Sequence, residues 1–171
     1  MPRFVVDTGH STVDIGLRVN LYPSHLSATG IHGTAELELD EHGGVKLDRP
    51  FSAEVALPVS ALSSGFGLQD WEMRRRLEVA RYPDISVRVI HGEEVDASDG
   101  RYRATALLTL HGQTREVTGT VRLARSGMTV EADAEAVINM RDFGIEPPQL
   151  LALRVEPEVD VRAHVVARPR P

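Results

Sequence analysis

Ala104-Thr-Ala-Leu-Leu-Thr-Leu-His-Gly-Gln-Thr-Arg-Glu-Val117 is the stretch whose reading decides the fold. Before His111 the residues alternate: Tyr102, Ala104, Ala106, Leu108 and Leu110 share one face, and Arg101, Arg103, Thr105, Leu107 and Thr109 share the other. His111-Gly112 interrupts the run, because glycine supplies the positive φ that a tight hairpin turn requires. After the break Val117, Val121 and Leu123 face one way, against Thr114, Glu116, Thr118, Thr120 and Arg122. A period of two on both sides of a short break predicts two half-buried strands joined as a hairpin. The charged side must face water, so the Ala/Leu/Val side must face an interior. Function turns on what fills that interior.

Working outward, the same alternation predicts strands over 12–21, 34–39, 51–59, 85–90, 101–110, 114–125, 128–138 and 154–165. Residues 1–6 also enter a strand pattern, and Leu21 to His25 reads as a loop. Val13, Ile15, Val55, Leu108, Val121, Ala134 and Val161 are expected inside, with Glu131, Asp133 and Arg162 outside. Pro157 cannot donate to a ladder, so a bulge or an unpaired edge is expected there. The segment from Met140 to Leu151 is irregular, since Pro147-Pro148 forbids a long helix. The tail from Arg168 is expected to be loose. The only helix runs from Leu68 to about Ala80, with Asp70 and Glu72 early and Arg74, Arg75 and Arg76 late, the order the helix dipole favours. Connections too short for crossover helices make the sheet antiparallel. Long strands with one continuous apolar face favour a closed barrel over a sandwich. The fold class is therefore all-β, an eight-stranded antiparallel barrel with one short helix, occupying 1–171 as a single domain.

The 171 residues carry a net charge of −6 with no basic block, which argues against nucleic acid as a partner. Cysteine is absent, excluding disulfides, thiolate nucleophiles and cysteine-based zinc sites. Neither an apolar leader nor an 18-residue apolar run is apparent, so a cytoplasmic protein without an integral membrane segment is expected. A homodimer is left open.

Few motifs suggest catalysis. Phe4-Val-Val-Asp-Thr-Gly9 resembles an aspartic-protease strand, but that chemistry needs two carboxylates sharing a proton. One triplet supplies only Asp7, so a protease would have to be dimeric. Asp142-Phe-Gly144 lacks every other kinase element and reads as a turn. Of the seven histidines, His32, His42, His91 and His111 precede glycine, and none forms a helical i, i+4 pair. No catalytic group, metal site or cofactor is expected.

Four separated pieces resemble the YceI family, polyisoprenoid-binding proteins with a lipocalin-like barrel. They are Asp7-x-x-His10-Ser11-x-Val13, the run from Leu77 to Ile85 with Tyr82-Pro83, Leu108-Thr-Leu-His-Gly-Gln-Thr-Arg-Glu-Val117, and Ile138-Asn-Met-Arg-Asp-Phe-Gly-Ile145. The resemblance implies a lipocalin-like barrel closed around an isoprenoid or other long-chain lipid, such as a polyprenyl chain or an isoprenoid quinone. It departs where the family carries an Arg-Asp-x-His-Leu-like run, since this chain reads Gln69-Asp-Trp-Glu-Met-Arg-Arg-Arg-Leu77.

The residues support a lipid independently. Ala35, Ala53, Ala104, Ala106, Ala132, Ala134, Ala136 and Ala163 all fall on the inward face, where small side chains leave volume and no strand residue is charged. An eight-stranded barrel either just fills with side chains or holds one ligand. A filled barrel would instead serve as a protein-interaction module. The expected ligand-contacting residues are Val13, Ile15, Leu17, Phe51, Val55, Trp71, Tyr102, Ala106, Leu108, Val121, Ala134 and Phe143. At roughly 100° per residue, Met73, Leu77 and Ala80 lie on one side of the helix, away from Leu68 and Trp71. Two apolar groups imply two apolar environments. Either Met73 and Leu77 seat the helix while Leu68 and Trp71 line the mouth and the arginines meet an anionic head group, or the helix ends near Leu77 and both groups face the core.

Overall fold

Strand alternation dictates most of the path in the computed structural model, which describes residues 2–20, 24–96, 98–147, 149–150 and 153–170. The chain opens with two interrupted strands. A 3-10 turn, Thr8–His10, separates β1 (Arg3–Val6) from β2 (Thr12–Val19), and a short break at Gly30 separates β3 (Ser24–Ala28) from β4 (His32–Glu36). Then come β5 (Ser52–Pro58), helix α1 (Gly67–Arg76), β6 (Asp84–Asp96), β7 (Arg101–Leu110), β8 (Gln113–Ser126), β9 (Thr129–Asn139), the short β10 (Gln149–Leu150) and β11 (Leu153–Arg170).

Every named pairing is antiparallel. β4 to β9 pair with their chain neighbours in order, and β9 pairs with β11 from Glu158 to Ala167. The free edge of β11 takes β2 along residues 155–164 and β1 along 167–170, so β1 and β2 act as one broken strand. β3 and β4 pair with β2 and β1 in the same way. Counting each broken pair once, eight antiparallel strands close into a barrel.

The register separates the faces as the alternation requires. Val13, Ile15, Val55, Leu108, Val121, Ala134 and Val161 all line the interior. Asp133 meets His164 at 2.7 Å and Arg162 meets Glu135 at 3.5 Å on the outside, and Glu131 is not part of the inner wall. The register of β11 against β2 shifts between Val155 and Val159, so Pro157 sits at a bulge.

Several expectations are corrected. Ser24–Ala28 is a strand, where the sequence predicts a loop through His25 and no strand before residue 34, and Leu21 lies outside the described residues. The strand expected over 34–39 begins at His32 and ends at Glu36. β6 continues to Asp96 through two register shifts, which let a strand change its inward parity and keep pairing. Met128, where the alternation starts the strand expected over 128–138, is 72% exposed in the turn before β9. The tail is not loose: Arg168, Pro169 and Arg170 pair with Val5, Phe4 and Arg3 and seal the barrel seam. α1 ends at Arg76, near Leu77 as the second reading of the helix has it and not near Ala80, because Glu78 takes a left-handed φ of 50° that terminates helical bonding; Leu68 and Trp71 nevertheless stay exposed and do not face the core.

Candidate functional site

Parity builds the inner wall. On β7 and β8 the inward residues meet across the ladder, Tyr102 opposite Val121 and Ala106 opposite Val117. On β9 and β11 the inward pairs are Ala136 with Val161, Ala134 with Ala163 and Ala132 with Val165. Each of the β9–β11 pairs includes at least one alanine, and all eight alanines expected on the inward face border the same space. They leave a cavity of about 970 Å³. That is at the upper end of the roughly 300–1,000 Å³ typical of small-molecule sites. The barrel is not packed solid.

Different devices finish the two ends. At one end the connection spanning residues 37–51 folds over the barrel and adds Leu37, Val45, Leu47 and Phe51 to the wall. Asp40 accepts hydrogen bonds from the backbone N–H of His42 and Gly44, and Val45 N–H donates to the Tyr102 hydroxyl at 2.9 Å, tying this cap to β7. Those two donors hold the Asp40 carboxyl below the usual carboxylate range, the Gly44 bond contributing most. At the other end sits α1. Met73 packs against the core around Leu26, Leu57 and Leu62, and Leu77 against the core around Leu108, Ile138 and Phe143. Phe66, Leu68 and Trp71 are 70%, 81% and 60% exposed, yet all three border the cavity. Residues that are at once solvent-exposed and part of the cavity wall mark its mouth.

The sequence matches the YceI-like domain family over residues 4–167. The chain belongs to the YceI-like family. Among solved structures, BcnA of Burkholderia cenocepacia superposes with a TM-score of 0.76 at 19% identity, covering 94% of this chain and 98% of BcnA. A polyisoprenoid binding domain from Saccharophagus degradans, implicated in plant cell wall breakdown, gives a TM-score of 0.70 at 16% identity over 98% of both chains. The YceI protein of Campylobacter jejuni gives 0.64 at 13% identity, covering 80% of this chain and 81% of its own. No curated protein sequence matches. At these identities the likeness establishes the fold, and the site must be argued from its own side chains.

Within this YceI-like barrel, Val13, Ile15, Leu17, Phe51, Val55, Trp71, Tyr102, Ala106, Leu108, Val121 and Ala134 all border the cavity. Phe143 does not. It is 1% exposed and packs behind the wall with Leu108, Ile138, Ile145 and Val159, so it supports the wall without forming part of it. Phe66 and the cap residues Leu37, Val45 and Leu47 are not among the ligand contacts expected from sequence. The cap residues carried a legible signal, an apolar residue at every second position on either side of the 41–44 turn.

Charge is confined to the rim. Glu72 and Arg76 of α1 and Glu146 border the mouth, while the Glu135 carboxylate lies outside beside Arg162. Glu72 accepts from Arg75 and from Arg76, at 2.8 Å from the latter, and Arg75 foremost holds its carboxyl below the ordinary range. Arg75 also lies over the Trp71 ring at 5.7 Å. Arg74 donates to the Ser60 carbonyl, and Arg76 reaches the Glu146 carbonyl. The arginine cluster is thus already paired in part, and Arg76 is the cation at the cavity's edge.

The Asp7 group serves the barrel seam. Its carboxylate accepts from Arg168 Nε at 2.9 Å, from Gly9 N–H, and contacts His10 Nδ1 at 2.9 Å. The Arg168 bond is the main cause holding its carboxyl below the ordinary range. A protease dyad needs a carboxyl that shares a proton, and Arg168 works against that. Ser11, 1% exposed, donates to the Asp7 carbonyl at 2.8 Å and accepts from Val166 N–H at 3.0 Å, so its hydroxyl bridges the broken strand. Among the described residues no three His, Asp or Glu side chains are grouped to hold a metal ion, and no helix is long and apolar enough to cross a membrane.

Proposed function

We propose that this chain binds a long apolar isoprenoid lipid, a polyprenyl chain or an isoprenoid quinone, inside the barrel and carries it without chemistry of its own. The observation that carries this reading is the cavity of about 970 Å³, walled by alanine, valine and leucine, with charge only at its mouth. Such a space favours hydrocarbon over a sugar or nucleotide, whose polar groups would lose water without gaining partners. Each buried methylene contributes about 0.8 kcal/mol, so a few isoprene units reach the roughly 8 kcal/mol of a micromolar complex. The polyisoprenoid binding domain of Saccharophagus degradans, with the same fold, supports the same ligand class.

In this reading Val13, Ile15, Leu17, Phe51, Val55, Tyr102, Ala106, Leu108, Val121 and Ala134 touch the chain, and Trp71 with Phe66 and Leu68 forms the lip it crosses. The whole of residues 1–171 acts as one carrier domain. The test is mass spectrometry of lipids that co-purify with the native protein. A discrete isoprenoid of fixed length is the expected result. Lipid-free protein that also fails to take up added polyprenol would sink the reading.

A further inference from the structure

His111 presents both ring nitrogens to acceptors. Nδ1 lies 3.0 Å from the Phe143 carbonyl oxygen, and Nε2 lies 2.6 Å from Glu78 Oε2. A carbonyl and a carboxylate accept but do not donate, and a neutral imidazole carries a single N–H. Both contacts are hydrogen bonds only if the pair holds one proton more than a neutral histidine and a free carboxylate. The Glu78 side chain is 46% exposed and that of His111 15%. An imidazole is in general a stronger base than a carboxylate, so the extra proton belongs on the ring.

The backbone around the pair is strained in a matched way. Glu78 and His111, at φ 50° and 54°, are the two non-glycine residues with left-handed backbones among the described residues. Bulky residues hold that conformation only where their surroundings impose it, and here the two are bonded to each other. Through its two contacts His111 joins three structures at the mouth end: the turn that ends α1, the β7–β8 hairpin, and the 3-10 turn Met140–Phe143. Tyr82 stands edge-on to the imidazole at 5.3 Å, and a side chain at Gly112 would collide with the same ring. Of the other charged groups on these elements, only Arg81 among the described residues also reaches the pair. Arg81 lies over Tyr82 and 4.0 Å from the second Glu78 oxygen, Arg115 donates to Gln113, Arg141 faces Glu146 at 3.5 Å, and Asp142 is exposed. Glu78 is the carboxylate the imidazole touches.

We propose that Glu78 and His111 form a proton-loaded latch that fastens the C-terminal end of α1 over the cavity mouth, so that losing the proton frees the helix and speeds exchange of the cavity's contents. The latch stands on its own geometry, and only its effect on exchange rests on the lipid-carrier reading. The closed form binds one proton more than an open form with neutral imidazole and ionised Glu78. Proton linkage therefore favours it as pH falls and disfavours it as pH rises.

Glu78→Gln separates this from ordinary packing. A glutamine amide can donate to Nε2, so a neutral His111 satisfies both contacts and the latch no longer needs the extra proton. In the native chain, amide hydrogen exchange across 68–81, corrected for intrinsic rates, should rise roughly tenfold or more from about pH 6 to about pH 9, as a charge-assisted bond is lost. In E78Q the same segment should stay protected at both. Nitrogen NMR of the native chain at neutral pH should show His111 with both ring nitrogens protonated. A singly protonated His111, or an E78Q variant with the native pH response, overturns the latch. These readouts need no lipid, so they leave the carrier reading untouched. The gating step is read separately, from Trp71 emission while a short polyprenol is added at the two pH values. Uptake that ignores pH while the latch titrates would overturn gating alone.

Discussion

Ala134 sits where a single side chain decides whether the barrel is empty. It faces the cavity between Val121 on β8 and Ala163 on β11. With open space ahead of it, Ala134→Phe should be accommodated and should displace ligand, leaving the lipid-free melting temperature unchanged or slightly raised. In a packed interior the same change would destabilise by about 1–3 kcal/mol through overpacking. Thermal melts of the variant with and without polyprenol distinguish these, and lipid binding equal to the native chain would count against an internal site. At this scale the sequence was largely legible, because parity alone decides inside from outside once a strand is recognised. Phe143 was misplaced for the complementary reason. It lies in an irregular segment with no period, so nothing in sequence told wall from support. His111 was read as a turn residue, which it is, but its partners come from residues 32 and 33 positions away.

Helix α1 is held by few contacts, which suits a mouth. Ten residues with one seated methionine and one seated leucine at its end bury little surface, so its loop must be organised by polar groups. Asp70 does this: it accepts from Ser64 N–H at 2.8 Å, Ser64 Oγ at 2.7 Å and Ser63 Oγ at 3.0 Å. The Ser64 hydroxyl bond is the largest cause holding its carboxyl below the ordinary range. Such a group contributes stability at pH above the unfolded aspartate's value and loses it as pH falls through the lowered folded value. Amide exchange at residues 63–70 should therefore accelerate on acidification below about pH 4, the ordinary aspartate range, before the strands open. Asp70→Asn should show the faster exchange already at neutral pH; equal exchange in both proteins would remove Asp70 as the organiser of this loop. The sequence located the helix and offered an end near Leu77 as one of two readings, but could not choose between them, since nothing in Glu78-Val-Ala-Arg81 announces a left-handed residue. β3 was missed because Ser24-His-Leu-Ser-Ala28 offers only two apolar residues on its inward face, too few to establish a period.

For the whole molecule, the cavity makes ligand binding and barrel stability one equilibrium. The closing strand β11 pairs with β9 on one edge and with β1 and β2 on the other, and its inward residues border the same cavity as those of the other strands. A lipid inside therefore contacts the structure that must come apart on unfolding. Binding to the native state alone stabilises by about 2.7 kcal/mol at a free ligand concentration of 100 Kd. For a chain of this size, where about 1 kcal/mol moves Tm by roughly 2–4 °C, the shift is roughly 5–10 °C. Any site on the native protein would give some shift, so its dependence on ligand length carries the argument. Each added buried methylene contributes about 0.8 kcal/mol only while there is room for it. The cap formed by residues 37–51 and a cavity of about 970 Å³ make that room finite. Across a series of polyprenols, Tm should climb with chain length and then level off once further units protrude past Trp71. Ala134→Phe should bring the plateau to a shorter chain. A shift that is the same for every length, or a plateau that Ala134→Phe does not move, would place the lipid outside the barrel.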